Sequence, residues 1–272
     1  MTADPRPRNT GGLRGFMDAL QLQGIVVGAV MMREIQTRYG RENLGFLWLV
    51  AEPLLFCLGV VLLWSAVHGH QERGIPIVAF VMTGYVPLVL WRHIVFRSVH
   101  CFRSNAHLLY HRQLRMLDLL VARFVLEICG NAMAFLVVAF IFGALNLYEP
   151  PKDLGLFYLG WLYSCLYPVG LGLIIGCISE KYEWIEKLVG PMTYFQLPIS
   201  GAFFMVDWLP QHMQKFALLV PSVNAYEIMR AGQFGPAVRV HYDIAYTTFA
   251  CAALIAIGLM MCRQVHKHLV IT

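Results

Sequence analysis

Long apolar stretches, parted by short polar ones, recur along this chain at lengths close to the thickness of a lipid bilayer. A hydrocarbon core of about 30 Å takes about 20 apolar residues in helical form. Six such windows run over residues 44–67, 75–96, 119–145, 154–178, 188–206 and 244–262. They predict an all-α integral membrane fold with six transmembrane helices, in one domain covering 44–272.

The residues before the first window follow a different pattern. Residues 1–15 form a Pro, Gly and Arg tail that is expected to be disordered. Residues 16–43 are moderately apolar, but Asp18, Gln21 and Gln23 interrupt them and the clean apolar run covers only Ile25 to Met32. That run is too short to span, so an amphipathic helix lying at the membrane interface is expected. A signal peptide is not expected, because the basic, apolar and small-residue parts do not occur in that order.

Composition agrees with a membrane reading: 58% of residues are hydrophobic and 14% charged, against about 45–50% and 25% in soluble domains. Charge then sets orientation. If the N-terminus is cytoplasmic, sixteen Lys and Arg fall on the cytoplasmic side of the six windows and five (Arg73, Lys152, Lys215, Arg230, Arg239) on the outer side. The positive-inside rule therefore places both termini in the cytoplasm. It also explains the net charge of +5 by a basic face on anionic lipid, with no nucleic-acid partner. The seven cysteines fall in apolar windows or, for Cys101, in a cytoplasmic loop, without any CxxC pair. Neither a disulfide framework nor a metal site is expected.

Missing motifs narrow the chemistry. No GxxxxGK[ST] loop occurs, so the chain does not cradle ATP phosphates in the P-loop manner. HExxH and GxSxG are absent as well, which argues against the commonest hydrolases. A gradient-driven carrier needs several ionisable groups near the midplane. Here Glu52, Arg123 and Glu127 are the deep ones, with Arg92 and His93 nearer the cytoplasmic end. A self-neutralising structural cluster and a part in a transport path both fit them.

Four segments are candidates for function. The loop over 97–118 is basic; Ser104 or Asn105 can cap a short helix from Ala106, giving Leu108 and Leu109 a small apolar face beside Tyr110. Such a helix suits a partner's groove, or the loop is a solvated basic one. His107 and His111 have metal-pair spacing but no Glu or Cys nearby. The stretch over 209–232 predicts two short helices turning back toward the membrane. The first has Pro210 at its first position and Met213, Phe216 and Val220 on one face; after Pro221, Asn224 and Glu227 make a capping box for a second, which carries Tyr226. A gate and a passive cap fit this equally. The fourth window carries Trp161 and Tyr163, which suit interface anchoring or stacking on sugar, and a Gly172/Gly176 pair for close helix contact. In the fifth, Pro191 and Pro198 bracket Tyr194 and Gln196.

The stretch REIQTRYGRENLGFLWLVAEPLL over 33–55, with SNAHLLY over 104–110 and WLPQHMQKFALLVPSVNAYEIMRAG over 208–232, resembles the membrane permeases of ABC-type polysaccharide exporters, especially those of group 2 capsular systems. The resemblance covers nearly the whole chain. It departs at Val220-Pro-Ser, where related permeases more often carry Asn-Pro.

That resemblance implies a transport subunit, not an enzyme, exporting lipid-linked capsular polysaccharide across the inner membrane. It implies a homodimer, two separate ATPase subunits carrying ATP and Mg, no cofactor on this chain, and a periplasm-spanning co-export partner. Ser104, Asn105, His107, Leu108, Leu109 and Tyr110 would be the coupling segment. Pro210, Phe216, Pro221, Asn224, Tyr226 and Glu227 would belong to the periplasmic gate. Arg33, Arg38, Tyr39 and Arg41 would form the substrate entrance, with anchoring as the alternative for the arginines. Trp48, Glu52, Trp161, Tyr163, Tyr194 and Gln196 would line the path. The same architecture with O-antigen, teichoic acid or a drug-like molecule as cargo, and an ATP-independent carrier, stay open. Within the chain, Glu34 is expected to pair with Arg38, and Glu52 with Arg123 or Arg92.

Overall fold

The computed structural model describes residues 13–39, 71–72, 75–99, 101 and 116–271, with short helical stretches between 51 and 63. Arg41, Trp48, Glu52 and the whole of Ser104 to Tyr110 lie outside the described residues, and with them most of the first window and the coupling loop.

Helix α1 covers Leu13–Tyr39. A two-residue antiparallel ladder follows, β1 (Gln71–Glu72) with β2 (Ile75–Pro76), a small departure from the all-α expectation. Then come α2 (Ile77–Val99), α3 (Met116–Ala144), α4 (Leu154–Lys181) and α5 (Glu183–Ile199). The chain closes with α6 (Gln211–Ala217), α7 (Pro221–Phe234) and α8 (Ile244–Ile271). Helices α2, α3, α4 and α8 are long and apolar enough to cross a membrane. Their starts lie within a few residues of the predicted windows.

Position in the bundle follows from the pattern of side chains. Helix α2 is apolar all round and is central: every residue from Ile77 to Trp91 is buried. Helix α8 is apolar too, yet Phe249, Ile257 and Met260 face outward, as suits a helix bordering lipid. The second central helix, α4, approaches its neighbours through glycine. A Cβ on Gly172 would meet Ser98 and Ile94 of α2, one on Gly170 would meet Leu254 of α8, and one on Gly160 would run into the Met229 backbone of α7. The Gly172/Gly176 pair thus makes the close helix contact its spacing suggests, against α2. Near the same seam the Cys177 and Cys262 thiols lie 3.0 Å apart, unbridged, between α4 and α8.

Two boundaries differ from the sequence expectation. Helix α5 begins at Glu183, with only Tyr182 between it and the end of α4, and stops at Ile199 instead of running over 188–206. It stops because Pro198 is followed by Gly201 at φ 82°, a left-handed turn that a helix cannot pass. Helix α7 begins at Pro221, which takes the first helical position, so Asn224 already sits in the second turn and caps nothing. Its amide instead donates backward to the carbonyls of Leu218 (2.7 Å) and Val220 (3.4 Å).

Candidate functional site

Helix α7 looks from its sequence like an outer-loop element, yet Ser222 to Phe234 are all buried, between α4, α2 and α8. Its polar residues Asn224, Glu227, Arg230 and Gln233 recur every third position, so each lies about 60° round the helix from the last and the row winds about halfway round it. Between them they tie down three pieces of connecting chain, the stretches after α5, before α8 and after α3. The Asn224 Oδ1 accepts from the Asp243 amide (2.9 Å). Glu227 accepts from the amides of Val206 (3.3 Å) and His241 (3.2 Å). Gln233 donates to the Glu149 carbonyl (2.7 Å) and accepts from the Tyr148 hydroxyl (2.8 Å).

Arg230 is the centre of this ladder and is 0% exposed. Its guanidinium donates to the carbonyls of Gly201 (2.9 Å), Phe204 (2.7 Å) and Ala202 (2.8 Å), lies 3.6 Å from Glu227, and covers the Phe80 ring at 4.2 Å. These carbonyls belong to the turn that follows the early end of α5, where free acceptors accumulate. A cation there is favoured by the helix dipole as well. Burial pulls the Arg230 pKa down to about 10, with Glu227 opposing the shift, so the group stays charged at neutral pH. Burial pushes the Glu227 carboxyl up, and the neighbouring Arg230 opposes that. Gly84 of α2 makes room for the arrangement, since a Cβ there would strike the Ala202 carbonyl and Arg230. The sequence expectation took Pro221, Asn224, Tyr226 and Glu227 from this helix but counted Arg230 only among the outer-side charges and missed Gln233. Their threefold spacing was the available signal.

The opposite end of the bundle is basic. Glu127 of α3, 2% exposed, meets Arg97 at 2.7 Å and His93 at 3.5 Å, both on α2. Arg123, one turn before Glu127, donates to the Arg97 carbonyl (2.9 Å) and pairs with Glu34 of α1 at 3.2 Å. Gln23 of α1 donates to Asp118 of α3 (3.0 Å). The carboxylate of Glu34 thus reaches Arg123 on another helix. Arg33 is half-buried on α1, and Arg38 and Tyr39 close that helix. Only Arg123 and Glu127 of the expected deep cluster can be placed; Glu127 bonds to α2, and Arg123 bonds to both α1 and α2.

Between α2 and α5 at this basic end lies a cavity of about 650 Å³, lined by Arg92, His93, Phe96 and Arg97 on one side and Gly190, Thr193, Tyr194 and Leu197 on the other. Both sets follow helical spacing, so two helix faces confront each other across it. A narrow crevice continues along Tyr85, Leu88, Val89 and Trp91, one residue short of Gly84 and the Arg230 carbonyl cluster.

The expected path residues do not all meet here. Tyr194 lines the cavity and is exposed. Gln196 points to the α7 end, donating to the Ser222 hydroxyl at 3.4 Å. Tyr163 is buried with its hydroxyl 2.6 Å from that of Thr248 on α8. Trp161 packs against Phe135 of α3 at 5.6 Å. At the outer helices, Pro210 precedes α6, while Phe216 and Met213 on α6 are exposed.

Against this geometry, comparison with known proteins is specific. The chain is 40% identical over 252 residues to the capsule polysaccharide export inner-membrane protein CtrC of Neisseria meningitidis serogroup B, covering 93% of this chain and 95% of that one. It is 36% identical over 252 residues to the capsule polysaccharide export inner-membrane protein BexB of Haemophilus influenzae, with the same coverage of 93% and 95%. Against the polysialic acid transport protein KpsM of Escherichia coli, identity is 24% over 244 residues, covering 89% and 94%. The family described as ABC-2 type transporter matches residues 26–234, from within α1 to the last residue of α7. Both the α7 ladder and the basic-end cavity therefore fall inside the matched region, and the chain belongs to the ABC-2 type transporter family.

Proposed function

We propose that this chain is the transmembrane subunit of an ATP-driven exporter that moves lipid-linked capsular polysaccharide from the cytoplasm across the inner membrane. The observation that carries this reading is the 40% identity, over 93% of the chain, to a protein named for capsule polysaccharide export at the inner membrane. Four helices able to cross a membrane make it a multi-pass protein. The full architecture we infer has six spans, with α5 and the segment between α1 and β1 supplying the other two, α6 and α7 as re-entrant helices on the periplasmic side, and both termini in the cytoplasm.

Energy comes from outside the chain, which lacks a P-loop. Two copies face each other to form the channel, and two nucleotide-binding subunits carry ATP and Mg. The segment over 97–118, with Ser104 to Tyr110 at its centre, passes their motion to α2 and α3. A periplasm-spanning co-export protein receives the polymer. The arginines of the basic end, with Arg33, Arg38 and Arg41, attract the anionic cargo at the inner surface.

The test is complementation. A capsulated host deleted for its own export permease, but retaining its ATPase subunit, is given this chain, and surface polysaccharide is measured. Restoration of surface polymer is expected. Polymer that accumulates inside cells while both proteins are present in the membrane would overturn the export reading.

A further inference from the structure

The seam between α4 and α8 holds two thiols that no part of the export reading uses. The two helices run parallel and in register. Tyr163 meets Thr248 and Cys177 meets Cys262, partners 85 positions apart in each case. Between these pairs Gly170 faces Leu254 and Ile255, and a Cβ on Gly258 would strike Leu173, at the same offset of 85 (258 − 173). On α4 the seam positions 163, 170, 173 and 177 are spaced seven, three and four apart, the repeat of a parallel coiled coil. Register therefore sets Cys177 against Cys262, and the glycines let the two backbones come close.

The sulfurs of that pair are 3.0 Å apart, and the two residues are 1% and 5% exposed. A disulfide holds its sulfurs at about 2.05 Å, so an approach of about 1 Å separates the thiols from a bond. Small apolar packing accounts for either cysteine alone, but it does not call for two sulfurs in contact. Burial shields the pair from bulky reagents. Yet Arg263, next to Cys262, and Lys181, one turn beyond Cys177, are both exposed, so the pair lies at the edge of the apolar seam and within reach of a small uncharged oxidant.

We propose that Cys177 and Cys262 are a modification site, converted by hydrogen peroxide to a reversible disulfide that locks α8 onto α4. One sulfur, as thiolate, attacks a peroxide oxygen; the O–O bond breaks, hydroxide leaves and a sulfenic acid forms. The second sulfur attacks the sulfenic sulfur, so that the S–S bond forms as the S–O bond breaks. In total the two thiols give up two electrons and two protons, and one peroxide becomes two waters. Because the second thiol is already held beside the first, this closure outruns further oxidation. A thiol reductant reverses it by exchange. The bond restrains the inner half of α8, whose Ile257 and Met260 face outward. The site stands apart from the identity of the cargo.

The full-length protein is purified with reductant into phosphatidylcholine nanodiscs, freed of reductant, exposed to hydrogen peroxide and blocked with N-ethylmaleimide before digestion and mass spectrometry. The expected product has lost two blockable thiols and carries a linked peptide pair joining Cys177 to Cys262, and dithiothreitol reverses both changes. Cys177→Ala and Cys262→Ala should each lose the link, while Cys129→Ala, at an exposed cysteine of α3, should keep it. The link should raise the midpoint of thermal unfolding, because it closes a long loop in the unfolded chain, and peroxide should bring no such rise in Cys262→Ala. Sulfinic acid at either residue without the link, or a link that forms only after unfolding in dodecyl sulfate, would overturn the site. A link that forms and lowers the midpoint would mean that the seam distorts to close it, and would overturn the lock. Both of these outcomes are read on the unaltered protein and do not depend on a variant folding.

Discussion

The two ends of this bundle bury charge in opposite ways. At the α7 end, Arg230 and Glu227 are fully enclosed and spend most of their hydrogen bonds on backbone: three carbonyls for the arginine, two amides for the glutamate. At the basic end, the bonds run mostly from side chain to side chain across α1, α2 and α3, and the outermost member, Arg97, keeps 34% of its side chain exposed beside an open cavity. A charge satisfied by backbone fixes one loop conformation, because backbone partners cannot rotate away. A charge satisfied by another side chain next to open space can exchange partners. The first arrangement suits a fixed closure and the second suits a surface that receives a ligand.

The largest expected effect therefore belongs to Arg230. Replacing it with Met leaves Glu227 buried without its cation and three carbonyls without a donor, which costs about 3–5 kcal/mol by analogy with broken buried ion pairs. Thermal unfolding in detergent micelles should register that loss. Arg230→Lys should recover only part of it, since an ammonium cannot fork across carbonyls as a planar guanidinium does. If Arg230→Met melted with the unaltered protein, the contrast between the two ends would collapse.

How far the sequence reaches depends on which of these two kinds of order is in question. The spans at α2, α3, α4 and α8 were readable because a lipid-bordering or central helix must be apolar over its whole length, and that requirement is written in consecutive residues. Helix α7 is not apolar. Asn224, Glu227, Arg230 and Gln233 fall in a short helix turning back toward the membrane by their pattern, but what buries them is distant and was not readable: the turn after α5, the stretch before α8, and the loop after α3. Glu34 was assigned to Arg38 by helical spacing; the side chain of Arg38 lies outside the described residues, and the Glu34 carboxylate reaches Arg123, 89 positions away along the chain (123 − 34). Short-range rules name neighbours on one helix; they do not know that α1 lies along α3. Tyr194 was singled out for lying between two prolines, and the structure gives it a cavity. Tyr163 was singled out for its ring, and its hydroxyl is fastened to α8.

A middle-sized effect is expected at Glu127. Glu127→Gln keeps the shape and one acceptor for Arg97 but removes the charge that holds Arg97 and His93. The carboxylate is buried, which raises the cost of losing a good partner, while Arg97 reaches water, which lowers it. About 1–2 kcal/mol is expected in the same melting experiment, well below Arg230→Met. A loss as large as that of Arg230→Met would mean that the basic end is as rigidly specified as the α7 end, and the cavity would then be a void between fixed walls.

The smallest effect tests how α1 is held. Glu34 and Arg123 sit at 15% and 10% side-chain exposure and 3.2 Å apart, so they are neither a free surface pair nor a buried one. Surface pairs couple by roughly 0.2–1 kcal/mol, and buried pairs that lose one partner by several. Arg123 also donates to the Arg97 carbonyl, so its removal disturbs more than one contact. A double-mutant cycle with Glu34→Gln and Arg123→Gln separates the pair from that second bond, because the carbonyl contact is lost in both arms that lack Arg123 and cancels. A coupling of about 0.5–1 kcal/mol is expected. Val27, Val30 and Met31 pack α1 against the core near this end, and that apolar contact remains in every variant. A coupling near zero would leave those three residues, with Gln23 on Asp118, as what docks the helix. A coupling of several kcal/mol would place the seam of α1 and α3 in the same class as the α7 ladder, and the two ends of the bundle would differ in exposure alone.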